Sequence, residues 1–311
     1  MSAITGYPVI ADRTIREEEY YWIWQGRTGL SLYHPASEQI SFASDFPNDT
    51  GKYHIIKCIE KCRTQPGIWA ASGNACVVHL QHESMKMKCI QEIRIPDACQ
   101  VRVLHEDDQG NLWIGTENAI YQYSISDGNM RRIHKDTGAI NGIAISPDKA
   151  IYYITETPEF SCLPPDGQVH SIHKGENYSS IIISPDNKIW TATLEGNVYS
   201  YHPQLQTLAR EDNACNANGD AVKSMTVDNL GHLWILADQY VKEYNPKNHS
   251  FRILYNSDRF IQVDYFLSIG KIENGTICLG GIGAFCLATP SPELDQSPND
   301  IKPVISSIKT D

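Results

Sequence analysis

The 311-residue chain has no run approaching the about 18 consecutive apolar residues that cross a bilayer as a helix. It has no long stretch with helical periodicity either, which argues against a helical fold. Basic residues are in deficit: 26 Lys and Arg against 37 Asp and Glu give a formal net charge of -11. That argues against nucleic-acid binding, which needs a basic stripe. No Cys-x2-Cys pair occurs among the nine cysteines, so the set carries no zinc-ribbon signature. The closest pair, Cys58 and Cys62, is spaced Cys-x3-Cys. The expectation is buried, reduced thiols acting as small hydrophobes, with no metal. Taken alone, the cysteine count favours a reducing compartment. The first eight residues lack the basic and apolar regions of a signal peptide.

Catalytic signatures are also missing. There is no Gly-x-Ser-x-Gly and no Walker loop. His79 and His82 are three apart, as are His170 and His173, so on strands each pair points to opposite faces. Channel-lining candidates for an enzyme, His105, Glu106, Asp12 and Glu60, come from scattered units. No cofactor is expected.

What the chain does have is a phrase that repeats. It reads Gly110-Asn111-Leu112-Trp113-Ile114-Gly115-Thr116 in one copy and Gly231-His232-Leu233-Trp234-Ile235-Leu236-Ala237 in another. An anchor residue recurs at Trp22, Trp69, Trp113, Tyr152, Trp190, Trp234 and Cys278, in steps of 47, 44, 39, 38, 44 and 44 residues. Such a period marks a repeat architecture. About twelve residues before most anchors begins an alternating β-rich run, as at Val101–Glu106. A turn rich in Asp, Asn and Gly joins run to anchor, as at Asp107-Asp108-Gln109-Gly110. A third run ends near a tyrosine (Tyr33, Tyr123, Tyr201, Tyr244), and a fourth short run follows.

Four strands per unit and seven units predict an all-β, seven-bladed β-propeller of four-stranded antiparallel blades over residues 1–288. The anchors are expected to pack between neighbouring blades, each buried side chain contributing roughly 1.5–3 kcal/mol. The last blade lacks an evident fourth strand. Either residues 2–8 or a folded-back tail is expected to close it. A Pro-rich linker at 289–302 and the start of a further β domain at 303–311 are expected to follow.

The turn-Asn-Leu-Trp-Ile-Gly-Thr phrase, followed by an apolar strand ending in tyrosine, resembles the two-component regulator propeller repeat. The match is close at Trp113 and Trp234, good at Trp22, partial at Trp69 and Trp190, and degenerate at Tyr152 and Cys278. Residues 302–309 resemble the first strand of the immunoglobulin-like domain that follows such propellers. The resemblance implies a piece of the extracytoplasmic, periplasmic sensor region of a hybrid two-component histidine kinase. It implies as partners a second propeller, an immunoglobulin-like domain, a homodimeric whole sensor and a small oligosaccharide ligand. By that resemblance the fragment is not an enzyme. A protein-interaction scaffold and a lyase- or lactonase-type propeller are the alternatives.

A ligand is expected on the long interblade loops at 43–54, 210–221 and 256–265. These carry Tyr53, His54, Asn216, Asn218, Asp220, Arg259, Phe260 and Tyr265. The loops between second and third strands add Arg27, Glu117, Glu195 and Asp238. Aromatics beside amides and carboxylates suit sugar rings, apolar on their faces and polar at their edges.

Overall fold

The computed structural model describes residues 2–10, 13–24, 29–42, 56–72, 75–135, 138–215, 219–237, 240–255, 266–271, 275–290 and 292. For 2–10, 98, 255, 266 and 282–285 it describes the backbone alone. The fold is a seven-bladed β-propeller. Six sheets have four antiparallel strands joined in chain order, and the seventh has three. No helix among the described residues is long and apolar enough to cross a membrane.

Two compact units divide the chain: residues 15–175, with blades 1 to 4, and residues 1–14 with 176–311, with blades 5 to 7. The inner strand of blade 1, Arg13–Glu17, straddles that boundary. Blade 7 is completed from the other end of the chain. The strand Ser2–Ile10 pairs antiparallel with the second half of Ile277–Ala288 (Ser2↔Leu287, Thr5↔Ala284). The first half of that strand pairs with Phe266–Lys271. Of the two expected closures, the N-terminal one is realised. Cys286 lies on the same strand as Ile277, one twelve-residue strand serving both neighbours. Of the linker expected at 289–302 and the domain start at 303–311, all but residues 289, 290 and 292 lie outside the described residues.

The anchors explain the period. All seven are buried, at 6% exposure or less. Within the first unit of blades, Trp22 packs against Ile59, Ile68 and Val78 of blade 2. Trp69 packs against Leu104, Leu112 and Tyr121 of blade 3, and Trp113 against Ile143, Ile151 and Tyr153 of blade 4. In the other unit, Trp190 meets Met225, Leu233 and Ile235, and Trp234 meets Ile269, Ile277 and Leu279. Each indole thus fills the seam toward the following blade.

A buried indole N–H also needs an acceptor. Trp113 donates to Asp107 Oδ2 and Trp234 to Asp228 Oδ2, both at 2.8 Å. Each acid lies six residues earlier, on the first hairpin of its own blade. Asp107 Oδ1 meanwhile accepts the backbone N–H groups of Gln109 and Asn111 at 2.9 Å. One carboxylate therefore closes the turn and satisfies the core tryptophan. Those donors outweigh the burial that would raise it and hold the Asp107 carboxyl below the usual carboxylate value. In blade 5, Ser184 Oγ takes the same place, 3.1 Å from Trp190 Nε1.

Gly115 has ordinary backbone angles, so its need is steric. A Cβ there would lie 2.5 Å from Val103 Cγ1 and 2.8 Å from Ile140 Cγ2. Ile140 belongs to the next blade, so the glycine sets how closely blades 3 and 4 approach.

Gly115→Ala is expected to cost about 1–3 kcal/mol by overpacking. Asp228→Ala is expected to cost about 1–3 kcal/mol for each donor it strands. Urea unfolding measures both, and a Gly115→Ala protein as stable as the parent would refute the seam argument.

Candidate functional site

The residues that sequence offered for catalysis do structural work. Glu106 is fully buried, and its carboxylate accepts from Trp69 Nε1 at 2.6 Å and from Thr64 N and Oγ1 at 2.9 and 2.7 Å. It staples blade 3 to blade 2. Glu60 is buried 3.7 Å from His105. His79 stacks on Trp69 and bonds the Pro66 carbonyl at 2.8 Å, while His82 lies against Tyr20 and 3.7 Å from Glu17. Asp12 lies outside the described residues.

Asp228, His232 and Glu243 come together in metal-like fashion, all buried. Their oxygens are already engaged. Asp228 accepts from Trp234 Nε1 and from the N–H groups of Leu230 and His232. Glu243 is 3.0 Å from His232 Nδ1 and accepts from Arg252 Nε. The donor set fits a charge-neutralising network within blade 6 better than an ion.

A more regular construction lies at the other end of the inner strands, where the interblade loops enter. There the inner strand carries one extra residue opposite its neighbour. Lys57 falls between the pairs Ile56↔Ser72 and Cys58↔Ala71. Arg102 falls between Val101↔Thr116 and Val103↔Gly115, and Asn141 between Ile140↔Thr155 and Gly142↔Ile154. Ser179 and Leu267 hold the same place in the other unit. The residue ahead of the extra one is buried in blades 2 to 5 (Ile56, Val101, Ile140, Tyr178), whereas Lys57, Arg102 and Asn141 are exposed. Such bulges re-aim a side chain at a fixed register.

A second feature recurs beside them. The loop between second and third strands donates one N–H back to the start of the inner strand: Glu117 to Gln100 O at 3.2 Å, Glu156 to Ala139 O at 2.8 Å, Leu194 to Asn177 O at 2.9 Å. The clamp brings Glu117 beside Arg102, Glu156 beside Asn141 and Leu194 beside Ser179. Its backbone repeats while its side chains differ from blade to blade.

The clamp of blade 5 is the most developed. Leu194 is 53% exposed beside Glu195, an apolar tip next to a carboxylate. Asn177 Nδ2 donates to Glu195 at 2.7 Å. Against slight burial, that bond and those from Thr193 and its own backbone hold Glu195 below the usual carboxylate value. Glu176 accepts from Tyr199 OH and, at 3.1 Å, from Asn197 Nδ2. Arg210 in turn donates to Asn197 Oδ1 at 2.9 and 3.1 Å. The segment 219–223 is tied to this clamp through Val222 N and Thr193 O at 3.2 Å, and a Cβ on Gly219 would lie 3.6 Å from Glu195 O. Lys242, a buried ammonium, donates to the carbonyls of Asn213, Ala214 and Cys215 at 3.4, 3.2 and 2.5 Å.

Of the sequence candidates, Glu195 lies on the blade 5 clamp, Asp220 on the segment tied to it through Val222, and Glu117 on the blade 3 clamp. Tyr53, His54, Arg27, Asp238, Arg259, Phe260 and Tyr265 lie outside the described residues, as do Asn216 and Asn218. Sequence reasoning missed Lys57, Arg102, Asn141, Asn177 and Leu194. The one signal that could have found them is their near-constant offset, eleven to thirteen residues before an anchor or four after it.

None of the nine cysteines is in a disulfide, and all but Cys89 are buried. Burial pushes the Cys278 thiol up to about 12, and Cys162 and Cys286 to about 11, from an ordinary 9.0. Burial, helped by the charges of Glu106, Glu17 and Glu60, holds Cys62 well above the ordinary thiol value. Thiolates are the reactive form, so these sulfurs are inert.

Comparison with known proteins agrees with this architecture. Residues 95–118, one interblade entry with the Trp113 strand, match the family model described as two component regulator propeller. No curated protein matches the chain. The extracellular domain of the hybrid two component system BT4673 from B. thetaiotaomicron superposes with a TM-score of 0.74 at 17% identity, over 93% of this chain and 40% of that one. That of BT3049 from the same organism gives 0.73 at 16% identity, over 96% and 41%. The WD40 propeller domain of Doa1 gives 0.74 at 7% identity, over 94% and 97%. At these identities the likeness is one of fold, and the chain spans about 40% of the two-component domains it matches.

In the native protein at pH 8, a disulfide reagent is expected to titrate one thiol, Cys89, rapidly and the rest only on unfolding. The folded thiol values lie above the unfolded 9.0, so their contribution to stability is complete below pH 9. It is lost as pH rises toward 11 to 12. Rapid native modification of several thiols would contradict the burial.

Proposed function

We propose that this chain is a non-catalytic, ligand-sensing propeller from the extracytoplasmic part of a transmembrane two-component sensor. The observation that carries the reading is the clamp: a constant backbone that presents different side chains in successive blades, while the carboxylates and histidines suited to catalysis are consumed by packing. The two component regulator match at 95–118 and the likeness to extracellular domains of two-component systems support the placement. Burial of eight of the nine thiols supports a periplasmic location, against which cysteine content alone would argue.

The ligand class that suits blade 5 is a saccharide. Leu194 offers an apolar contact for a ring face, and Glu195, Asn177 and Asp220 offer acceptors and a donor for hydroxyl groups. In the full-length sensor a second propeller, an immunoglobulin-like domain and a second copy of the chain would complete the assembly and pass the signal to a kinase.

Calorimetry against a panel of plant and host oligosaccharides, using this chain and the full sensor region, tests the reading. One panel member is expected to bind. Leu194→Ala and Glu195→Ala are each expected to weaken it about tenfold, about 1.4 kcal/mol. Turnover of a lactone or ester at enzymatic rates would overturn the proposal in favour of a propeller enzyme.

A further inference from the structure

The clamps of blades 2 to 4 carry a different chemistry from that of blade 5. The inner strand Val101–Glu106 touches its neighbours Ile56–Lys61 and Ile140–Ile145, so the three extra residues Lys57, Arg102 and Asn141 sit at one register on adjacent strands. All three are exposed. Two of them are cations, in a chain whose formal net charge is -11. Among the described residues, Lys57 and Asn141 make no hydrogen bond or ion pair. Arg102 makes one, with Glu117 Oε1 at 3.8 Å, both partners close to half exposed. That pair is long, monodentate and open to solvent, so it is weak and readily exchanged. A guanidinium in this state lacks the paired, shorter bonds that it forms with a well-placed oxyanion.

The backbone that carries Arg102 is held in place from behind. The extra residue at Arg102 is forced by the register change opposite Gly115, where Val103 and Ile140 fill the space of a missing Cβ. The N–H of Glu117 is pinned to Gln100. Glu156 is held on the blade 4 clamp, whose extra residue is Asn141 rather than a cation.

We propose that Arg102, Lys57 and Asn141 form a binding site for a carboxylate or sulfate group, with Glu117 as the counter-ion that the ligand displaces. The site stands on this geometry. Only the further step, that a sensed saccharide is an acidic one, rests on the function proposed above.

The test is titration of the isotopically labelled chain with sulfate, glucuronate and glucose, following the Arg102 Nε–H signal and the backbone amides of residues 57, 102 and 141 by NMR. Sulfate or glucuronate is expected to give a saturable shift, and glucose none. A response to sulfate alone assigns the site to a free inorganic anion, and a response to glucuronate to a carboxylate-bearing ligand. Arg102→Gln is expected to weaken binding about tenfold, the worth of one charge-assisted hydrogen bond. Glu117→Gln is expected to tighten binding by freeing the guanidinium, an outcome that a merely structural pair would not give. Amide spectra of both variants establish that they fold. No saturable response to either anion, or an Arg102→Gln protein that binds as the parent does, overturns the proposal. Neither result touches the saccharide reading of blade 5, which the glycan panel tests separately.

Discussion

Everything in this fold is arranged around the problem of burying an indole between two sheets. The ring is large enough to fill the seam between adjacent blades, and its N–H cannot be left without an acceptor there. The protein meets both needs with a side chain at the turn of the first hairpin. Asp107 and Asp228 serve their own tryptophans. Glu106 serves the tryptophan of the preceding blade, and Ser184 serves in blade 5. Because the acceptor sits at a fixed turn and the ring at a fixed strand position, the constraint writes itself into the chain as a recurring phrase. It also accounts for the chemistry that is missing. The carboxylates at that end of the inner strands are spent on holding tryptophans and turns.

The same seam reaches the other end of the blade. Gly115 lacks a side chain because Val103 and Ile140 close over it, and that contact falls at the register change that turns Arg102 outward. Core packing therefore determines where a surface side chain stands. The clamp between the inner strand and the loop after the second strand is made of backbone bonds alone, so it can be kept whatever residue occupies it. Clamp and hydrophobic seam are two ends of one construction.

This division explains what the sequence could disclose. The seam repeats residue types, so the blade count, the anchors and the need for a terminal strand at blade 7 were all legible. The clamp repeats only backbone. An extra residue in a strand leaves the alternation of buried and exposed positions almost intact, so Val101-Arg102-Val103 reads as ordinary β-strand and the bulge leaves no mark. Glu106 was misread for a related reason. On an alternating strand it has the spacing of a channel-facing acid, and only the neighbouring blade supplies Trp69 and Thr64 to bury it. Asp220 and Glu195 stand on the loops that sequence assigned them to, because loop length and polarity are legible without the fold.

A fold built this way can change its clamp side chains without disturbing its seams. Substituting Trp69 or Gly115 disturbs two blades at once. Substituting Lys57, Arg102, Asn141 or Leu194 alters an exposed side chain on a backbone that other groups hold. Sequence can then drift far at the clamps while the seams keep the geometry. A TM-score of 0.74 at 17% identity to a two-component extracellular domain is what that separation allows. What differs from blade to blade is the side chains on the shared frame, and the frame itself is constant.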